Sequence, residues 1–321
     1  MTGPLAVLGA PSVRWRPGRL NLPCCVAGAC RRPRRMRLPK RPSFSGRRPR
    51  VLDLFCCAGG AGMGYYRAGF DVVGVDIRAR PNYPFEFHQG DALEFAPAHV
   101  QEFDLVHASP PCQHSCTLTK GTNKGREYID LIPATRELFA WYGVPSVVEN
   151  VQGSQLRRDL VLCGEMFGLG VLRHRYFEID YWRGDRRPHQ PHRGYVRGLR
   201  HGVWRDGPYI AAYGKGGGKG TVREMQQAMD IHWTDVHEEL TEAIPPAYTE
   251  YIGNEFLTTG EWGAIARGVP DTAPVPEIMR PYLKLNAAGR LVATRPGRRP
   301  SAPAPAPLVP PFAVPLLKET L

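Results

Sequence analysis

The chain has 321 residues, 42% of them hydrophobic, enough to bury the core of one large domain with at most a small appendage. No apolar run approaches the ~20 residues of a membrane span, and Leu5 to Ala10 is too short for an export signal, so the reading is a soluble, cytoplasmic protein without a membrane partner. The net charge of +12 suggests nucleic acid, but thirteen of the 42 Lys and Arg lie in residues 1–50, where there is no Asp or Glu. The other 271 residues carry 29 basic groups against 30 acidic ones, so a basic surface has to be argued locally.

In chain order, residues 1–49 are rich in Arg and Pro and lack periodicity, which predicts a disordered basic arm or sequence ahead of a later start such as Met36. From residue 50 short apolar runs alternate with helix-like segments. VLDLF at 51, DVVGVD at 71, DLVHAS at 104 and SVVENV at 146 read as strands. Helices are expected over Gly62 to Gly69 and over Tyr128 to Tyr142, the latter interrupted by Pro133. This rhythm predicts a doubly wound α/β domain over 50–180, with a mostly parallel sheet and ligands at the carboxyl ends of its strands.

After LRHRYFEID at 172 the character changes. Residues 181–220 hold nine Lys or Arg against two acidic residues, with Tyr181, Trp182, Tyr195, Trp204, Tyr209 and Tyr213 interleaved. That mixture suits phosphate and base contact, although a solvated Gly-rich excursion would look similar. Residues 221–260 are expected to return to the α/β domain, and 261–321 form a Pro/Ala-rich tail that argues against packed structure.

Eight cysteines in a long chain without an export signal imply reduced thiols. Cys24, Cys25 and Cys30 lack paired His or a second CxxC. Cys112, His114 and Cys116 share a loop without a fourth ligand, so no metal is expected.

Four segments carry chemistry. VLDLF runs into CCAGGAGMG, a strand-to-helix turn that lets backbone approach a ligand, though not with the G-x-G-x-x-G spacing of dinucleotide folds. Asp76 ends the next strand, where a carboxylate can accept from ribose hydroxyls or serve as an ordinary turn residue. Ser109-Pro110-Pro111-Cys112-Gln113 follows an apolar strand, and its two prolines hold a thiol at the sheet's ligand edge. Glu149 reaches the same edge from VVENV. Arg173 and Arg175 alternate in RHRYF, which predicts both guanidinium groups on one face.

Together DLFCCAGG, SPPCQ, ENV and RHRYF resemble the motifs of the cytosine-5 DNA methyltransferase family, of bacterial or phage type. Thr221-Val222-Arg223-Glu224 resembles its recognition-supporting helix and Tyr251-Ile252-Gly253-Asn254 its closing motif; the likeness covers about residues 50 to 257. The resemblance implies a class I, Rossmann-like fold and S-adenosyl-L-methionine as cofactor. Cys112 would be the nucleophile adding to C6 of a flipped cytosine, with Glu149 the acid at N3 and Arg175, beside Arg173, at O2. Cofactor contacts would fall to Asp53, Phe55 on the adenine, Gly59, Gly60, Asp76 on the ribose, Ile77, Asp91 on the adenine amino group, Pro110 and Asn254. The polar segment Gln113 to Arg126 would be the loop closing over the base.

The resemblance further implies a monomer acting on double-stranded DNA, with 181–220 reading the sequence and a restriction endonuclease as a potential counterpart. Cys57 departs from the family, which more often has Gly there, and the recognition region of about 40 residues is short. An RNA cytosine-5 methyltransferase would use the same pocket. A non-catalytic nucleic-acid-binding protein with a decayed methyltransferase fold is the alternative of another class.

Overall fold

The computed structural model describes residues 37–44, 46–114, 128–180, 186–200, 202–213, 219–258, 283–285 and 291–293. The chain divides into Met1–Arg37 and a compact unit from Leu38 onward that holds every element below. Seven strands form the main sheet: β1 (Arg50–Leu54), β2 (Asp71–Asp76), β3 (Glu86–Gln89), β4 (Leu105–Ala108), β5 (Ser146–Val151), β6 (Leu160–Leu162) and β7 (Arg175–Asp180). Their order is β3-β2-β1-β4-β5-β7-β6. The first five strands pair in parallel and β7 runs antiparallel to both neighbours. This is the doubly wound, Rossmann-like arrangement expected of a class I methyltransferase fold, and its order reverses between β1 and β4.

The helices are α1 (Gly60–Ala68), α2 (Ala92–His99), α3 (Ile132–Tyr142), α4 (Val222–Met229), α5 (His237–Glu242) and α6 (Pro246–Thr258). Strand alternation divides the core. Leu52, Leu54, Val73, Val75 and Val106 face α2 and α3, whereas Val51, Val72, Leu105 and Val147 face α1 and α6. Pro133 does not interrupt α3 but sits in its first turn, where its missing N–H has no helical partner to lose. Gly60 and Gly64 seat α1 against the chain that follows α5. A Cβ on Gly60 would lie 2.2 Å from the Ile244 carbonyl, and one on Gly64 would lie 2.1 Å from that of Pro246.

The body begins before residue 50. Arg47 reaches the buried Asp104 through two nitrogens at 2.6 and 2.9 Å, and Arg41 pairs with Asp71 at 2.8 Å, so the last part of the expected arm is docked. Beyond β7 the hairpin β8 (Gly198–Arg200) and β9 (Val203–Arg205) leads to a third core cluster. There Ala212, Met225, Met229 and Ile231 pack together. Thr221 and Glu224 form the capping box that starts α4. Within the expected Pro/Ala tail, β10 (Leu283–Leu285) pairs antiparallel with β11 (Leu291–Ala293). The remainder of residues 259–321, the arm before residue 37, and Cys116 with the rest of the expected closing loop after His114 lie outside the described residues.

Candidate active site

The turn after β1 alternates into left-handed backbone at Phe55 (φ 57°), Cys57 (φ 45°) and Gly59 (φ 82°). Only the last is glycine, and the Cys57 conformation explains why a glycine would be favoured there. Asp76 fixes this turn from the end of β2: its Oδ2 accepts from the Cys57 N–H at 3.0 Å and its Oδ1 from the Arg78 N–H at 2.9 Å. Arg80 adds an ion pair to Asp76 at 3.1 Å.

These groups line one end of a cleft of about 280 Å³ along the carboxyl ends of β1, β2, β4 and β5. Its walls include Asp53, Phe55, Gly60, Asp76, Ile77, Pro110, Cys112, Glu149 and Arg175, and Thr241 to Ile244 close one side. Ten of the thirteen expected residues are thus in or beside the turn and cleft if Gly59, the cap of α1, is counted.

Asp53 is fully buried. Its Oδ2 accepts from the Tyr83 hydroxyl at 3.1 Å, while its buried Oδ1 has no hydrogen-bond partner among the described residues. Burial, with the neighbouring carboxylates Asp76 and Glu149, pushes its pKa from 3.8 up to about 8.

The other end of the cleft holds Cys112, Glu149 and Arg175. Cys112 is a half-buried thiol, not in a disulfide, on a 3-10 turn beyond β4. Asn150 anchors that turn: its buried Nδ2 donates to the Pro110 carbonyl at 2.8 Å and ties the Pro-Pro-Cys segment to β5. One residue earlier on β5, Glu149 is buried and its Oε1 lies 2.9 Å from Arg175 Nε. Burial raises the Glu149 pKa above its ordinary 4.5, against the opposing influence of Arg175 and a hydrogen bond from Ser109.

Ser109 is held in turn by the wholly buried His107, whose Nε2 is 3.0 Å from Ser109 Oγ and whose Nδ1 is 3.0 Å from the Tyr65 hydroxyl. Burial pushes His107 down to about 3, so the ring is neutral. A chain of hydrogen bonds thus runs from α1 through β4 to the carboxyl group of Glu149.

Four expected positions differ. Arg173 precedes β7 with φ 37°, so strand alternation does not set its direction, although it remains in electrostatic reach of Glu149. Its buried guanidinium donates instead to Ala212 O at 2.9 Å and Thr241 O at 2.7 Å, bracing the cleft wall from behind. Asp91 caps α2 by accepting from the Leu93 N–H at 2.8 Å and does not line the cleft. Asn254 is exposed on α6, whose neighbouring Gly253 packs against Ala68 and Tyr65 away from the cleft. Gly60 lines the cleft, but its missing Cβ makes room for the Ile244 backbone rather than for a ligand.

Arg80, Ser109, Asn150 and Glu242 line the cleft without having been expected. Arg80 and Glu242 carried no motif, while Ser109 and Asn150 stood inside the SPPCQ and ENV segments. His114 Nδ1 lies 3.0 Å from the Tyr128 carbonyl.

The basic segment divides as well. Tyr195 and Trp204 are 61% and 58% exposed, and the Arg205 guanidinium stands 4.7 Å over the Tyr195 ring. Tyr209 is wholly buried and donates to Glu165, so it belongs to the core rather than to a contact surface.

No family model matches the chain, and no curated protein matches it. Similar solved structures include a DNMT2 mutant of Spodoptera frugiperda at 15% identity, covering 65% of this chain and 98% of that one with a TM-score of 0.42. The S. pombe Dnmt2 methyltransferase is 14% identical over 67% of this chain and 100% of that one, TM-score 0.44. The Entamoeba histolytica methyltransferase EhMeth is 10% identical over 67% and 99%, TM-score 0.41. The strand order, not these likenesses, assigns the fold.

Proposed function

We propose that the chain is a cytosine-5 DNA methyltransferase that uses S-adenosylmethionine. The observation that carries this reading is the meeting of Cys112, Glu149 and Arg175 at one end of a cleft whose other end is built from Asp53, Phe55 and Asp76. The cofactor end suits a charged nucleoside. Among the described residues Asp53 Oδ1 is a buried acceptor without a donor, and Arg80 Nε is a buried donor without an acceptor. Asp53 would hold a cationic amino group, Asp76 and Arg80 a sugar's hydroxyls, and Phe55 and Ile77 the flat faces of a base. When bound, S-adenosylmethionine supplies a methyl group made electrophilic by its sulfonium.

The chain's own residues prepare the acceptor. Cytosine C5 is a weak nucleophile, so the Cys112 thiolate adds to C6, forming an S–C6 bond. Glu149, whose burial favours its protonated form, gives its proton to N3 as charge enters the ring. Arg175, already within reach of Glu149, donates to O2 and compensates the carboxylate left behind. C5 becomes enamine-like and able to take the methyl group. Loss of the C5 proton to a base, return of the N3 proton to the Glu149 carboxylate and return of the S–C6 electron pair to Cys112 restore the neutral aromatic ring. The base must leave the helical stack to reach the cleft. The exposed Tyr195, Trp204 and Arg205 offer stacking and phosphate contacts.

Bisulfite sequencing tests the reading, on DNA and on RNA incubated with the purified chain and cofactor. Protected cytosines at a recurring DNA sequence, lost with Cys112→Ser, are expected. Protection of RNA alone would overturn the DNA assignment, and protection of neither would overturn the enzyme.

A further inference from the structure

Cys163, His174, His189 and His192 converge near the start of β7. Their ligand atoms, one thiol sulfur and ring nitrogens, all lie within 4.8 Å of one another. Cys163 follows β6, His174 sits between Arg173 and Arg175, and the other two come from the segment beyond β7.

Three of the six spacings among these atoms lie close to the edges of a tetrahedral site, and the others are within 4.8 Å. His174 Nε2 is 3.0 Å from His189 Nε2, His192 Nε2 is 3.3 Å from His189 Nε2, and Cys163 Sγ is 3.5 Å from His192 Nε2. With zinc bond lengths of ≈ 2.0–2.1 Å to nitrogen and ≈ 2.3 Å to sulfur, tetrahedral edges are about 3.3 Å between nitrogens and about 3.6 Å from nitrogen to sulfur.

Hydrogen bonding alone does not account for the cluster. An imidazole nitrogen carries either one N–H or one lone pair. His189 Nε2 can therefore make a full hydrogen bond to only one of the two nitrogens it faces, whereas a cation between the rings would engage all three.

We propose that these four residues form a closed site for a divalent cation of zinc type, structural in role. Four protein ligands leave no open position for water or substrate. Binding releases the Cys163 thiol proton to solvent and takes a lone pair from each neutral imidazole, with no change of oxidation state. The cation would fasten the segment carrying His189 and His192 to the ends of β6 and β7, next to Arg175. It would thereby hold the basic, aromatic stretch from Arg193 to Arg205 against the body. A small region unable to bury a core of its own gains order this way.

The test uses the full chain stripped with a chelator and titrated with Co²⁺. Saturation at one ion per chain is expected, with a near-ultraviolet thiolate-to-cobalt band, tetrahedral visible bands, and displacement of both by Zn²⁺. Cys163→Ser should lose the thiolate band. The double variant His189→Ala/His192→Ala, at two exposed positions outside the core, should keep its circular dichroism and bind at least tenfold more weakly. Absence of a saturable one-to-one spectrum would overturn the proposal, as would an unchanged spectrum in the folded double variant. These readouts need no methyl transfer, so they stand apart from the proposed activity.

Discussion

Arg175 Nε and Glu149 Oε1 lie 2.9 Å apart in the cleft, a guanidinium set against a carboxyl group whose pKa burial has raised. The two influences on Glu149 oppose each other, and both bear on when it carries a proton. As an acid, Glu149 works below its pKa, so the activity should fall as pH rises through that value.

Removing the cation with Arg175→Ala should raise the Glu149 pKa further and move the alkaline limb of the kcat/KM profile to higher pH, while the rate itself drops. Glu149→Gln should erase that limb and lower the rate by roughly 10²–10⁴-fold with cofactor affinity near wild type. An alkaline limb that stays in place in both variants would assign it to another group.

Asp53 links stability to pH. Its pKa is 3.8 in the free chain and about 8 when folded, with Asp76, Glu149 and Tyr83 around it. A raised acid pKa means that the folded state holds a proton which the unfolded state has released. The stability conferred by the neutral carboxyl is complete below about pH 4 and is lost as pH rises through about 8. Asp53→Asn should flatten this dependence and be the more stable protein at pH 9, by on the order of a few kcal/mol. Urea unfolding at pH 5, 7 and 9 measures it, and parallel curves for the two proteins would contradict it.

Asn150 acts by positioning. Asn150→Ala leaves the buried Pro110 carbonyl without its donor, at a cost of about 1–3 kcal/mol. The rate of methyl transfer should fall more than cofactor affinity, because Cys112 loses its fixed direction. Equal losses in both would mean that the whole cleft had loosened.

Gly60 and Gly64 test the helix packing independently of chemistry. Gly60→Ala and Gly64→Ala each drive a Cβ into backbone oxygen at 2.2 and 2.1 Å, and should destabilise by about 2–4 kcal/mol in thermal unfolding. Gly90→Ala, with nothing within 4 Å of the added carbon, should remain near wild type.

Strands β1, β2, β4 and β5 were legible as short apolar runs of the kind a parallel sheet buries on both faces, whereas β3 (Glu86–Gln89) and β6 (Leu160–Leu162) carry too little apolar sequence or length to mark them. Cys112, Glu149 and Arg175 were legible because each sits where a strand delivers it to one edge. Arg173 was misread because alternation was extended two residues beyond the start of β7, into left-handed backbone that no local pattern marks. Asp91 and Asn254 followed motif position, whereas their side chains answer to a helix cap and to the packing of α6. The Cys163 cluster was invisible because its ligands come from three separated segments without a repeated spacing. Only the antiparallel return of β7 beside β6 brings them together.

The central claim is a covalent bond between Cys112 and a cytosine ring, and trapping it is the most direct measurement. DNA containing 5-fluorocytosine is incubated with the chain and cofactor, because fluorine at C5 cannot leave as the proton does and the S–C6 bond then persists. Mass spectrometry of the digested complex should find the fluorinated, methylated nucleotide on the peptide bearing Cys112, and none with Cys112→Ser. A chain that methylates cytosine without forming that adduct, or that forms it on another cysteine, would contradict the account.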